Sequence, residues 1–503
     1  MNAAADILRA GDDGHVAIRL RGDARRADVR RGELRRDVRR ASAAFSTLGV
    51  APGARVVLVL PDGPELVVAF LGAIWHGAVP VVLSSFLRAD VVAAIVAESG
   101  ARAVVASEPV VTALRSDASC PLPEAGVLTV VPDGSGTFAD AFPTYDSAGE
   151  ARDAPPDAPA FWLYSSGTTG RPKGVVHTQR AIGHVVASYG RHVLDLRPDD
   201  VAYATSKLFF AYGLGGGLYF PLSAGGTTIL APDPFAPART WRMLAEETPT
   251  LLFAVPSAYR ALLDAAPADA AAALGCVRRC VSAGEALPET IARAWRARFG
   301  LDILDGLGAT EALHIFLSQR PGDCASGTTG APVPGYDVRI VDEHGAAVPA
   351  GTAGALRVRG PSVAAGYWQR PEAAARAFVD GWLVTGDRAV EEPDGSIRLL
   401  GRSDDLLKVS GQWVSPAEIE DVIGAVTGVR ECAVVGVPDA RGLTELVAWI
   451  APAADDDALP ARVAAACESL PRFKRPKRVC LIEALPRTPT GKIQRYLLRG
   501  RES

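Results

Sequence analysis

Five short apolar runs recur along the chain: RVVLVLP from Arg55, AVPVVL from Ala78, RAVVAS from Arg102, TTILAP from Thr227 and TLLFAVP from Thr250. Ala- and Arg-rich stretches of helical character separate them, IARAWRARFG from Ile291 being one. Strand-length apolar runs alternating with helices predict an α/β chain with largely parallel sheets and helices on both faces. The 503 residues exceed what one ordinary core organises, so at least two domains are expected.

The fold texture changes twice. From Cys324 the segment GAPVPGYDVRIVDEHGAAVPAGTAGALRVRG predicts a small β-rich subdomain of hairpins. After GRSDD (Gly401 to Asp405) comes VSPAEIEDVIGAV, which reads as a helix with Ser415 at the N-cap, Pro416 in the first turn and Glu418 three residues on from the cap. The strands ECAVVGVP and LVAWIAP, the helix ARVAAACESL and the strand RVCLIEAL complete a small α+β unit of about 100 residues. The boundary is placed at Asp404, giving a large domain over 1–403 and a small one over 404–503.

Leu66 to Leu83 (LVVAFLGAIWHGAVPVVL) has the length of a membrane span, but His76, Gly77 and Pro80 interrupt it and PDGPE before it starts a helix. A buried helix followed by a buried strand is expected there, with no membrane partner. The N-terminus MNAAADILRAGDDGH lacks the apolar run of a signal peptide. A net charge of −4 gives no field that favours nucleic acid. Seven scattered cysteines, of which only Cys276 and Cys280 are close, complete no zinc pattern and read as reduced thiols of a cytoplasmic protein.

YSSGTTGRPKG, Tyr164 to Gly174, is too polar and too flexible for core. Apolar FWLY precedes it, and VVHTQRAIGHVVASYG after it can continue into a helix. That order predicts a strand–loop–helix anion cradle. Gly167 and Gly170 free the main chain, Ser165, Ser166, Thr168 and Thr169 supply hydroxyls, and Lys173 a mobile positive charge. The spacing is neither GxxxxGK[ST] nor GxGxxG.

SSGTTGRPKG resembles the phosphate-binding signature of the adenylate-forming superfamily of acyl-CoA synthetases, adenylation domains and luciferases. Other segments follow in that family's order over nearly the whole chain. SAGEALP is similar to the loop that contacts adenine, which implicates Gly284, Glu285 and Ala286. DGLGATE resembles the aromatic-Gly-x-Thr-Glu segment: Asp305 and Gly306 at the nucleotide, Thr310 near the phosphate, and Glu311 toward Mg²⁺. Asp387 of VTGD matches the acid that takes the ribose hydroxyls, and Arg402 of GRSDD a further nucleotide contact. Lys492 of LPRTPTGKIQR matches the mobile lysine of the adenylation step. The resemblance implies ATP, Mg²⁺ and coenzyme A as reagents. It also implies a small domain that rotates at the hinge Asp404 between two half-reactions and brings Gly411 to the thiol tunnel.

KLFFAYGLG (Lys207 to Gly215) and TEALHIF (Thr310 to Phe316) resemble the benzoate-CoA ligase branch. There the matching positions, Phe210, Ala211, Tyr212, Ala283, Gly308, His314 and Ile315, line an aryl pocket. Phe210, Tyr212 and Ile315 are expected to sandwich a ring, Ala283 and Gly308 to leave room for its thickness, and His314 to donate a hydrogen bond to the carboxylate or a ring substituent. The short Arg-rich region before Arg55 and SSFL at Ser84 depart from the branch, which leaves amino- and hydroxybenzoates open. The basic run RFKRPKR (Arg472 to Arg478) reads equally as solvated surface and as a contact for the coenzyme A 3′-phosphate. The leading expectation is an ATP-dependent aryl-CoA ligase acting as monomer or homodimer. A stand-alone adenylation enzyme loading a separate carrier protein shares every motif, and a non-catalytic homologue would be expected to have lost some of Lys173, Glu311, Asp387 and Lys492.

Overall fold

In the computed structural model the described residues are 1–116, 123, 126–131, 136, 149–165, 172–324, 327–402, 407–409, 412–439, 444–487 and 493–500. The five apolar runs are strands in two sheets. One, of nine strands, runs Ala331–Pro332, Ile315–Ser318, Ile303–Gly308, Arg279–Ser282, Leu251–Ala254, Val201–Ala204, Thr227–Leu230, Val16–Arg21, Arg26–Arg30. The other, of seven, runs Gly366–Tyr367, Lys173–Thr178, Pro159–Ser165, Val79–Val82, Arg55–Val59, Ala103–Ser107, Val127–Val130. Their centres are parallel and buried on both faces, which explains why these strands are continuously apolar rather than alternating.

Leu66 to Leu83 divides as expected. Pro64–His76 is a helix with Pro64 at its first position, and every residue from Leu66 to Trp75 is buried. Gly77 ends it at φ +87°, a left-handed stop open to glycine, and Val79–Val82 enters the sheet. Among the described residues no helix is long and apolar enough to cross a membrane.

The segment after Cys324 forms a five-stranded antiparallel sheet of Asp337–Val341, Gly354–Arg359, Trp382–Glu391, Phe378–Val379 and Ile397–Arg402. One part leaves it: Gly366 and Tyr367 pair with Val176 and Val175 at the edge of the seven-stranded sheet.

From Leu407 onward the chain builds its own three-stranded sheet, Val429–Pro438, Thr444–Pro452 and Arg478–Leu481, with its own apolar clusters. The helix Pro416–Gly424 starts after Ser415 as its sequence predicts, but the Ser415 hydroxyl makes no capping bond and Glu418 instead pairs with Lys474 at 2.6 Å. The RFKRPKR run is engaged within this domain: Arg475 donates to the Leu470 and Glu468 carbonyls, and Arg478 to Glu445. The expected boundary residue Asp404 lies outside the described residues.

Burial sets one acid-sensitive site. His177 is fully buried against Phe161, rings 4.9 Å apart and nearly parallel, and neither ring nitrogen has a hydrogen-bond partner. Burial pushes its pKa down to about 3 from 6.5. The folded chain therefore keeps His177 neutral while the unfolded chain protonates it below 6.5, and stability is lost as pH falls toward 3. His177→Phe removes this term. Relative to the native chain, the variant should gain about 1.4 kcal/mol between pH 8 and pH 5.5, one proton over one pH unit. Denaturant unfolding of both proteins at the two pH values checks it; a constant difference would refute it.

Candidate functional site

The chain on either side of residues 166–171 forms two antiparallel strands, which corrects the expected strand–loop–helix order. Pro159–Ser165 pairs with Lys173–Thr178, Ser165 opposite Lys173 and Tyr164 opposite Gly174, and the helix begins only at Gln179. The β-branched run Val175, Val176 and Thr178 favours extension after the loop, so Lys173 stands at the foot of a hairpin. Ser166, Gly167, Thr168, Thr169 and Gly170 lie outside the described residues.

Beside that foot a charged cluster assembles from four elements. Glu311 sits in the short turn Thr310–Ala312 that follows the strand Ile303–Gly308. Its Oε1 accepts from the Ser165 hydroxyl at 3.2 Å and from the Tyr367 hydroxyl at 2.8 Å. The Lys173 ammonium lies 5.2 Å from the centre of the Tyr367 ring. Burial and the neighbouring Glu311 push the Tyr367 hydroxyl far above its usual pKa, so it stays a proton donor. Tyr367 escaped sequence reasoning because only its strand pairing brings it here; the Gly-Tyr at an otherwise turn-rich stretch was the one available signal.

The expected nucleotide residues fall into two further groups. Asp387, 6% exposed, accepts from Arg402 Nη1 at 3.2 Å, and the same nitrogen donates to the Thr385 carbonyl at 2.7 Å. Gly386 makes that approach possible, since a Cβ there would come within 2.7 Å of the guanidinium. Gly284, at φ +92°, and Ala286 are exposed on the loop after Arg279–Ser282. Glu285 between them lies 3.8 Å from Arg487 of the small domain. Asp305 and Gly306 are in the strand leading to Glu311. Asp305 as a residue is half-buried, yet its Oδ1 is enclosed without a partner, and burial raises its pKa to about 7, the Gly306 main chain opposing.

Of the residues expected to line an aryl pocket, Tyr212, Gly308, His314 and Ile315 come together. Phe210 precedes the helix Ala211–Leu214 and meets Phe209 edge to face at 4.5 Å; Phe209 in turn meets the exposed Phe86 of SSFL at 6.0 Å. The Tyr212 hydroxyl reaches the Val281 carbonyl at 2.9 Å, two residues before the buried Ala283. His314 is buried in an aromatic shell: Phe220 at 4.8 Å, Tyr189 at 5.4 Å, Tyr212 at 5.7 Å and Tyr219 at 6.2 Å between ring centres. Burial lowers its pKa to about 3, with a main-chain interaction at Tyr212 opposing, so it is a neutral imidazole. The preceding Leu313 holds φ +69°, a strained conformation for leucine that swings the chain from Glu311 into this shell. Gly215 admits the imidazole: a Cβ there would fall 2.5 Å from Nε2. Gly308 has a further reason beside the one expected. A Cβ on it would meet the His314 carbonyl oxygen at 2.6 Å, so main-chain packing already demands glycine.

Among the described residues no group of three or more His, Cys, Asp and Glu could hold a metal. The cluster offers one carboxylate, Glu311, and a single carboxylate completed by phosphate oxygens and water is a ligand set that Mg²⁺ accepts. Lys492, Gly411 and Asp404 lie outside the described residues.

The family model of AMP-binding enzymes matches residues 16–368, and that of the AMP-binding enzyme C-terminal domain matches residues 418–492. A benzoate–CoA ligase of Thauera aromatica is 41% identical over 466 residues, 91% of this chain and 88% of its own length. The crystal structure of a benzoate CoA ligase from Burkholderia xenovorans LB400 superposes with a TM-score of 0.90 at 39% identity, covering 99% of this chain and 100% of the other. An anthranilate CoA ligase in complex with anthranoyl-AMP gives a TM-score of 0.92 at 34% identity, over 99% and 96% of the two chains.

Proposed function

The chain belongs to the AMP-binding enzyme family, and we propose that it is an ATP-dependent aryl-CoA ligase acting on benzoate or an amino- or hydroxybenzoate. The acid's carboxylate attacks the α-phosphorus of ATP and pyrophosphate leaves. The thiol of coenzyme A then attacks the acyl carbon of the acyl-adenylate, and AMP leaves.

One observation carries the reading. The single segment Thr310–Ile315 joins a carboxylate held by two hydroxyl donors beside a lysine to a neutral histidine inside an aromatic shell. Charge handling and recognition of a flat apolar acid thus meet within six residues. In this reading Lys173 and Thr310 face the phosphates, and the hydroxyls and N–H groups of Ser165 to Gly170 hold the departing pyrophosphate. Asp387 and Arg402 hold the ribose and the loop Gly284–Ala286 the adenine, with Asp305 and Gly306 beneath. Mg²⁺ bound at Glu311 would neutralise phosphate charge. Phe210, Ala211, Tyr212, Ala283, Gly308, His314 and Ile315 form the acid's pocket, where His314 stays unprotonated and donates from one ring nitrogen.

The test is a panel of carboxylic acids with ATP, Mg²⁺ and coenzyme A, scored by pyrophosphate release and thioester formation. Benzoates should give both; release of pyrophosphate without a thioester, or preference for aliphatic acids, would overturn the reading. Within that panel Ala283→Leu is the clean probe of the pocket, because Gly308 is also fixed by the main chain. The variant should lose about tenfold or more in kcat/KM for benzoates through overfilling. Equal loss with a short aliphatic acid would count against the aryl assignment.

A further inference from the structure

Directly behind the aryl segment lies a polar assembly that no step above uses. Asp62 belongs to the PDGP turn after the strand Arg55–Val59, Lys207 opens KLFFAYG, and Ala231 and Asp233 follow the strand Thr227–Leu230. Asp62 is 6% exposed, and its Oδ1 accepts from the Leu208 main-chain N–H at 3.1 Å. The Lys207 ammonium donates to the Ala231 carbonyl and, at 2.6 Å, to the Asp233 carbonyl. The Lys207 carbonyl in turn accepts from the Phe210 N–H at 3.0 Å, and Gly213 packs so closely on it that a Cβ would fall 2.1 Å away.

Two loops from two strands are thus tied to the four residues that end in Phe210. A buried carboxylate and a largely buried ammonium are costly to hold, and apolar residues of like size would fill the space at less cost. Their charges act on each other: burial lifts Asp62 to about 6, with Lys207 and the Leu208 N–H opposing, and burial lowers Lys207, with Asp62 and Asp233 opposing. What hydrogen bonds supply that apolar packing does not is a fixed main-chain position, to within a few tenths of an ångström, for the Leu208–Phe210 turn.

We propose that Asp62 and Lys207 are positioning residues for the aryl acid: they lock the main chain that presents Phe210 and Tyr212, and so set the fit of the ring without touching it. The inference rests on the aryl-CoA ligase reading above. Loosening the clamp should relax the wall of the acid pocket and leave the nucleotide groups, which stand on other segments, as they are.

Steady-state kinetics of the full chain with benzoate as the varied acid test this. Lys207→Met and Asp62→Ala should raise the acid's KM about tenfold, with the KM for ATP within about twofold of the native value. Asp62→Asn keeps an oxygen for the Leu208 N–H and should recover most of the loss seen in Asp62→Ala. Because Asp62→Asn preserves shape and acceptor, it decides the matter even where Lys207→Met fails to fold. Lower thermal stability with an unchanged acid KM, or parallel rises in both KM values, would overturn the inference alone. If the native chain forms no aryl-CoA from any benzoate, the ligase reading and this inference fall together.

Discussion

Glu311→Gln should depress acyl-adenylate formation by about two to three orders of magnitude, the loss typical of removing one group that meets developing charge in a transition state. The substitution is chosen because it leaves the local structure intact. Ser165 and Tyr367 both donate to Oε1, and a glutamine amide oxygen can still accept from both, though more weakly than a carboxylate. What disappears is the negative charge. If Glu311 brings Mg²⁺ to the triphosphate, the variant should also need more Mg²⁺ for half-maximal rate. Tyr367→Phe is the graded control: it removes one of the two donors that aim the carboxylate, and should cost about tenfold rather than hundreds. Pyrophosphate exchange dependent on the aryl acid measures both variants. Activity within threefold of native for Glu311→Gln would remove it from the site.

How far sequence alone reaches differs by element for physical reasons. The alternation of apolar runs with Ala- and Arg-rich stretches encodes the two sheets, because strands buried on both faces must be apolar throughout. The small domain after Leu407 was equally readable, since its strands and helices are bounded by local turn chemistry. The hairpin at Ser165–Lys173 was not. VVHTQRAIGHVV holds both a β-branched start and a helical continuation, and only pairing with Pro159–Ser165 decides where one ends. Motifs with local chemistry, such as the glycines and hydroxyls of SSGTTG, announce themselves within ten residues. Tyr367 reaches Glu311 from 56 positions away through a two-residue strand, and Asp62 reaches Leu208 from 146 positions away. Contacts of that range leave no periodicity to read. Gly308 shows a subtler case: its smallness is legible, but the atom it makes room for is the His314 carbonyl just before the neighbouring strand.

Lys492→Ala should separate the two half-reactions more sharply than any other single change. The residue itself lies outside the described residues, but its flanks do not. Arg487 and Ile493 bridge each other antiparallel on either side of it. Arg487 also reaches across to Glu285, on the loop proposed to take adenine, at 3.8 Å, and to Glu431 of its own domain at 2.9 Å. Arg487 thus brings the small domain against the loop proposed to take adenine. The Arg487–Glu285 contact is long and both side chains are partly solvated, so it is weak and would break easily under the proposed domain rotation. In the proposed reading Lys492 would stabilise charge at the carboxylate–phosphate junction only while the small domain keeps this contact. Its removal should lower acyl-adenylate formation by about two to three orders of magnitude. Thioester formation from supplied benzoyl-adenylate and coenzyme A should stay within a few-fold of native, because in the proposed reading the lysine has left by then. Single-turnover assays of the two steps make the comparison. Equal losses in both would mean that Lys492 supports the fold or the thiol step, and the proposed division of labour between the two domain orientations would fail.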